Sequence, residues 1–495
     1  MIRGGVLRGN IGRIKETVYT IMGKIKEFFS SGIIVKWFAV LCVASLLCST
    51  TPYTYFLYNP LLMASLAVGG VLLLWLFFVD RRIYTRPYAV FFLVFCVSYG
   101  VTILLNRNSG FMTNCGQLVY TGFYFFIFFC TFSSLRSEIR TDTLKILSWL
   151  ILAFSVAVAV ASLGMMVTLY SGEIEHLGSK ITVGFIHRSD SMQLFGAATG
   201  PSSLGQLSLA GAFSAWYLFR KPNGVPRWPC VVFCVIFWLT IAAANAYSML
   251  IIMVAFAFFF VVCNACGRSA AGGSGKKILR VAGVAVRVML VCAITVGCYF
   301  GTQTLESATI NEVQMIVYHN DKNSENGTDG PAELPPEVTI IRDLNTSATG
   351  SRRAIWKEGI QLFLSHPLGV TNSNISVKVF YGVPDYEFRN LHNGYLTLLV
   401  ASGIVGFLAV MSFGVLFFLR AMRYLRKCAD RDKRWRLAYL ISICAAVLAG
   451  ELVNGCFVLW RGLEYGMLWL LLGQICALIT EKEPKESDEK ITTAE

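Results

Sequence analysis

Apolar stretches about as long as a bilayer is thick recur along this 495-residue chain, and they leave few folds open to it. A run of roughly 20 apolar residues crosses hydrocarbon as a helix, because a helix satisfies its backbone polar groups within itself. Twelve such stretches are readable: 33–51, 60–79, 87–105, 116–132, 146–170, 203–219, 229–244, 247–264, 281–302, 394–419, 437–454 and 463–479. Composition agrees. Only 15% of the residues are charged, against about 25% in a soluble domain. The expected fold is all-α, a polytopic bundle of about twelve spans. Nine spans fill 33–302, and three fill 394–479. Between them, 303–393 is a large outer loop with short amphipathic helices.

Lysine and arginine set the expected orientation, because they concentrate in cytoplasmic connections. With the N-terminus inside, 30 of the 43 basic residues fall in inner connections and 11 in outer ones. Both termini are then cytoplasmic, and the protein belongs in the cytoplasmic (inner) membrane. The formal charge of +14 follows from this bias and asks for no nucleic acid partner. The basic run 420–436 is expected against anionic lipid head groups. Residues 1–32 form a cytoplasmic segment in which Ile14, Val18, Ile21, Ile25 and Phe28 repeat at helical spacing, a surface amphipathic helix rather than a cleavable signal. Residues 480–495 are a cytoplasmic tail. No cofactor is expected. The fifteen cysteines sit mainly in apolar stretches, and Cys263-x-x-Cys266 is a lone pair without a second pair or nearby histidine, a poor metal site. Asp430-x-Asp432 lies in a short basic connection and reads as solvated charge.

Two outer connections are long, 170–202 and 302–391. Residues 318–350 are polar and poor in large apolar side chains, and disorder is expected there. A helical pattern follows: Trp356, Ile360 and Phe363 share one face, Arg352 and Arg353 open it, and Pro367 ends it. Then comes Arg389-Asn390-Leu391-His392-Asn393-Gly394-Tyr395, at the outer end of the tenth span. Glu451, Arg461 and Glu464 lie near the outer ends of the last two spans, where ionisable groups face a cavity or one another.

These residues resemble a known signature. Gly350-Ser351-Arg352, Ile355-Trp356, Leu362-Phe363, His366-Pro367-Leu368-Gly369, His392-Asn393-Gly394-Tyr395-Leu396 and Gly403-Ile404-Val405-Gly406 occur in the order seen in the O-antigen ligase and polymerase superfamily. Gly200-Pro201-Ser202-Ser203-Leu204-Gly205 is similar to a Gly-x-Pro-Asn-x-x-Gly stretch of the same superfamily. Three departures stand out. Gln193-Leu194-Phe195-Gly196 occupies a place where an arginine often precedes a glycine, with Arg188 the nearest candidate. Asn245-Ala246-Tyr247-Ser248 replaces a Ser-Arg pair. Thr371 stands for the second glycine after His-Pro-Leu-Gly.

The resemblance implies a membrane glycosyltransferase that moves a glycan from a polyprenyl diphosphate carrier to an acceptor glycan or glycolipid, as a polymerase or a ligase. Arginine suits the diphosphate, because its planar fork bonds two phosphate oxygens at once. Histidine suits deprotonation of the acceptor hydroxyl, because its pKa lies near working pH. His392 and Arg352 are therefore the catalytic candidates. Arg353, Arg188, Asn393, Arg389, Arg461 and Glu464 are candidates for substrate contact. Two other classes fit the same layout: a transporter or flippase of lipid-linked glycan, and a non-catalytic partner in a polysaccharide export complex. A transporter would be expected to carry repeated halves, and the His-Asn motif and large loop occur once.

Overall fold

The computed structural model describes residues 20, 23, 32–176, 179–188, 191–220, 226–266, 277–324, 338–340, 348–379, 386–455 and 457–481. The expected N-terminal amphipathic helix and nearly all of the tail lie outside them. The described residues include thirteen α-helices. They are α1 (Ile33–Cys48), α2 (Tyr55–Leu74), α3 (Ala89–Leu105), α4 (Phe111–Gly122), α5 (Ser137–Val167), α6 (Pro201–Phe219) and α7 (Trp228–Ala244). The rest are α8 (Tyr247–Cys266), α9 (Lys277–Ser324), α10 (Ala348–Ser365), α11 (Gly394–Lys427), α12 (Arg431–Gly450) and α13 (Leu463–Thr480). Each of the twelve apolar stretches falls on one of these helices, and α10 is the addition. Seven helical segments are long and apolar enough to cross a membrane, and α1, α3 and α7 are apolar but shorter. The chain is a multi-pass, mostly helical bundle.

It is not all-α. Residues 170–202, read from sequence as a plain connection, hold an antiparallel meander of β1 (Ser171–His176), β2 (Ser179–Arg188) and β3 (Ser191–Gly196). The alternation in Ile181-Thr182-Val183-Gly184-Phe185 is a strand pattern; Val183 and Phe185 face inward, at 0% and 2% exposure. A smaller hairpin pairs β4 (Val377–Val379) with β5 (Tyr386–Phe388). The expected disorder at 318–350 also differs in three places. Helix α9 continues through Ser324, α10 begins at Ala348, and 338–340 is tied into the bundle. There the Asn311 side chain bonds both the N–H and the carbonyl of Val338, and Met192 N–H donates to Thr339 O at 2.8 Å. Residues 325–337 and 341–347 lie outside the described residues.

The core is aromatic. After α4 the chain continues as a π-helical stretch, Phe123–Thr131, in which every residue from Phe123 to Cys130 is buried. A helix apolar on all sides belongs at the centre of a bundle. Its Phe125 stacks on Phe92 of α3 with centroids 4.4 Å apart and meets Trp469 of α13 edge-on at 4.8 Å. Phe413 of α11 closes the cluster against Phe92 at 4.8 Å. Helices α3, α11 and α13 are locked together here, and Gly473 lets α13 approach the π-helical backbone, where a Cβ would fall 2.4 Å from Phe128 O.

Helix α11 is broken at Gly403, which has φ +70°. The break is filled by the His-Pro-Leu-Gly loop that follows α10. Ile404 N–H donates to Pro367 O at 3.0 Å, while Val400 O, its acceptor in an unbroken helix, takes Val370 N–H at 3.0 Å. Ala401 O takes Thr371 N–H at 3.1 Å. From α3, Thr102 Oγ1 donates to Leu368 O at 2.7 Å. A Cβ on Gly403 would lie 2.4 Å from the Leu368 carbonyl carbon. Two separate stretches of the sequence signature are thus one structural joint. Thr371 has φ +68°, a region that glycine occupies freely. Its hydroxyl accepts a hydrogen bond from Asn114 Nδ2 at 2.9 Å, which offsets the strain of a β-branched residue there. Gly403→Ala should cost about 1–3 kcal/mol and visibly lower the melting temperature of the detergent-purified protein. Gly414→Ala in the same helix, where a Cβ meets nothing within 4 Å, should leave it unchanged or higher.

Candidate active site

Helix α10 lies against the N-terminal end of α11, buried along Ile355. A Cβ on Gly359 would already touch Leu391 and Leu396 at 3.1 Å. Trp356 fixes the contact: its Nε1–H donates to Leu391 O at 2.9 Å. Arg352 precedes Trp356 by one helical turn and so shares its face, which turns the guanidinium toward His392. The two are close enough for the charge of Arg352 to act on the imidazole. Arg353 is rotated about 100° away and is exposed.

His392 sits in a left-handed turn, φ +49°, between β5 and α11. Its backbone N–H donates to Asn390 Oδ1 at 2.9 Å. Asn393 caps α11, its Oδ1 accepting from Tyr395 N–H at 3.1 Å and Leu396 N–H at 3.0 Å. Its side-chain oxygen is therefore engaged in capping the helix, which fixes the residue directly after His392. Gly394 N–H donates to Glu451 O at 2.7 Å, and any Cβ there would lie 2.2 Å from Gly455 O. Burial, and secondly the neighbouring Arg352 guanidinium, hold the half-buried His392 imidazole below its ordinary value of 6.5. At neutral pH it is uncharged, the form that accepts a proton.

Beside this motif the C-terminal end of α12 and the first turn of α13 present carboxylates. Glu451 is 1% exposed and accepts a 3.5 Å hydrogen bond from Tyr465 Oη. Glu451, Asn454 and Glu464 line the mouth of a cavity whose remaining wall is almost wholly apolar, including Phe213, Ile443 and Leu468. Arg461 forms no ion pair with Glu464. Its guanidinium lies over the Tyr120 ring at 4.6 Å. Arg389 is exposed beside β5. Arg188 ends β2, paired with Ser191, and its side chain lies outside the described residues. The structure thus brings Arg352 and His392 together, sets Glu464 on the lining of the cavity, leaves Arg353 and Arg389 exposed, and lays Arg461 on Tyr120. Among the described residues no three of His, Cys, Asp and Glu converge as a metal site.

Sequence reasoning named Trp356 and Glu451 without their supporting roles and gave Asn390 none. Trp356 Nε1–H and Asn390 Oδ1 hold the motif through main-chain groups, and Glu451 holds it through its own carbonyl, contacts that have no short-range signature. At the replaced Ser-Arg position, Asn245 takes φ +50° and bonds Ile340 O at 2.6 Å and Gln303 Nε2 at 3.2 Å. It tethers the 338–340 segment.

A family model described as O-antigen ligase matches residues 192–411. Those residues are an O-antigen ligase family domain. The domain runs from β3 into the second half of α11 and contains the α10 arginines, the His-Pro-Leu-Gly joint and His392. Membership implies polysaccharide transfer at a membrane, and so an enzyme acting on lipid-linked glycans. Arg188, Glu451, Arg461 and Glu464 lie outside the O-antigen ligase match. No curated relative matches the chain.

The cap at Asn393 yields a direct test. Asn393→Asp and Asn393→Ser preserve a capping oxygen and should retain most stability and transfer activity. Asn393→Ala should lose about 1 kcal/mol and, by loosening His392, a larger share of activity. Equal loss in all three would make Asn393 a substrate contact instead.

Proposed function

We propose that this protein transfers a glycan from a polyprenyl diphosphate carrier to a sugar hydroxyl of an acceptor glycan or glycolipid at the outer face of the cytoplasmic membrane, without a metal ion. The observation that carries the reading is the pairing of Arg352 with an uncharged, half-buried His392 inside the O-antigen ligase domain. His392 takes the proton of the acceptor hydroxyl as the oxygen attacks the anomeric carbon. Arg352 stabilises the diphosphate as the glycosidic bond breaks and negative charge collects on it. Arg352 has a second effect, since its charge opposes protonation of the imidazole and keeps the base available. Glu464 and Glu451, at the mouth of the apolar cavity, are proposed to meet sugar hydroxyls. All twelve apolar helices are proposed to cross the membrane, with both termini cytoplasmic.

His392→Ala should lower turnover by roughly 10²–10⁴-fold with donor affinity nearly unchanged. Wild-type activity should fall as pH drops below about 6.5, and that limb should vanish in the variant. Arg352→Ala should weaken donor binding and also move the acidic limb to higher pH, because removing the positive charge lets His392 protonate more readily. Arg352→Lys should restore the limb but not the binding, having charge without the fork. EDTA should leave all rates unaltered. Full activity in His392→Ala, or restoration of EDTA-treated enzyme only by added cation, would overturn the mechanism.

Orientation is tested separately. A cysteine at Ser324, in a background lacking other reactive thiols, should react with an impermeant maleimide in intact cells. Reaction only after permeabilisation would reverse the topology.

A further inference from the structure

The end of the bundle opposite His392 holds a second concave site. Helix α11 runs 34 residues away from the active site, and α12 starts at Arg431 and returns. Helix α12 packs along α8, and α9 packs on α8 in turn, so that the last turns of α8, the early turns of α9 and the first turn of α12 border one cleft. Between them is a cleft of about 510 Å³ whose polar lining is Arg287, Arg431, Arg434, Asp432 and Asn264. Three guanidiniums face one carboxylate, an excess of positive charge. Among the described residues neither Arg287 nor Arg431 is in an ion pair.

The floor is rigid. Trp435 stacks on Tyr439 with centroids 5.4 Å apart and meets Phe260 edge-on at 6.1 Å. The Arg220 guanidinium lies over the Trp435 ring at 4.5 Å, near enough to Arg436 for the two charges to repel. Arg436 Nε is buried without a partner among the described residues. The first free N–H groups of α12 do not supply the binding, because Asp430 Oδ1 already accepts from Asp432 and Lys433. The arginines do. One wall of the cleft, Phe260, Val261 and Val284, is apolar. The α9 surface beside Arg287 exposes Val286, Met289 and Leu290.

We propose that this cleft is a binding site for the phosphate head group of an anionic phospholipid in the leaflet at this end of the bundle. Arg287, Arg431 and Arg434 hold the phosphate oxygens, and the acyl chains lie on the apolar wall and along α9. A lipid is favoured over a soluble phosphate because the arginines border an apolar, outward-facing helix surface that only an amphiphile covers. The site is independent of the transfer chemistry at the other end.

Phosphatidylglycerol titrated into the full-length protein in neutral detergent, with adducts counted by native mass spectrometry, tests this. One saturable lipid per protomer is expected, undisplaced by phosphatidylcholine. Replacing Arg287, Arg431 and Arg434 together by Gln should weaken it at least about tenfold, the loss of one or more charged hydrogen bonds. Arg287→Gln alone, on an exposed helix position and least able to disturb folding, should weaken it several-fold. Gln at Arg423, Arg426 and Lys427, three exposed charges on the same end, should leave it within about twofold. Equal weakening by both triple variants, or no saturable adduct, would reduce the cleft to diffuse surface charge. Displacement by millimolar inorganic phosphate would overturn the lipid and identify a soluble phosphate as the ligand.

Discussion

A buried backbone polar group in an apolar medium must find a partner, and the break in α11 at Gly403 shows how much of this protein hangs on that rule. Opening the helix frees the carbonyls of Val400 and Ala401 and the N–H of Ile404. The backbone of 367–371 supplies the missing partners. Because these residues follow directly on α10, the joint anchors the C-terminal end of that helix. Trp356 anchors its middle, through Leu391 O. With two attachments the helix has no freedom to swing, and Arg352, on its first turns, is held beside His392.

The electrostatics of the site follow from this geometry. Arg352 and His392 are both cationic when protonated, and in a half-buried setting two like charges disfavour each other. Burial first, and the neighbouring arginine second, therefore favour the uncharged imidazole. In the proposed mechanism the same contact serves both residues, one holding the diphosphate and the other accepting a proton. Below them Glu451 ties α12 to Gly394 through its backbone carbonyl while its side chain reaches the cavity mouth. One residue therefore links the motif to the apolar interior, where a lipid carrier's tail has its natural surroundings.

The two ends of the bundle divide the labour of charge. At the His392 end, basic groups are few and individually positioned. At the other end they are many, and Trp435 with its aromatic neighbours gathers several of them about one cleft. The wide basic bias that orients such a chain in the membrane does not require a cleft. The stacked Trp435 ring, the three arginines on one cleft and the apolar flank of α9 are what distinguish this corner from solvated charge.

The twelve apolar stretches all fall on helices, because the demand of hydrocarbon is local: about 20 residues in a row carry the whole signal. The order of the motifs between Gly350 and Gly406 was equally legible and led to the O-antigen ligase domain. Tertiary structure decided the rest. That His366-Pro367-Leu368-Gly369 and Gly403-Ile404-Val405-Gly406 are one joint could not be read, since they touch through backbone hydrogen bonds across more than thirty residues. That Asn393 caps α11 through its side-chain oxygen was likewise decided by the fold. Arg461 and Glu464 are near neighbours in the sequence, yet one lies on Tyr120 and the other on the cavity. The β1–β3 meander was overlooked because its alternation is short and sits between helices whose signal is far stronger. Periodicity and apolar length are properties of neighbouring residues and so belong to the sequence. Which side chain meets which is set by how the helices lean on a shared aromatic core, and only the folded chain determines that.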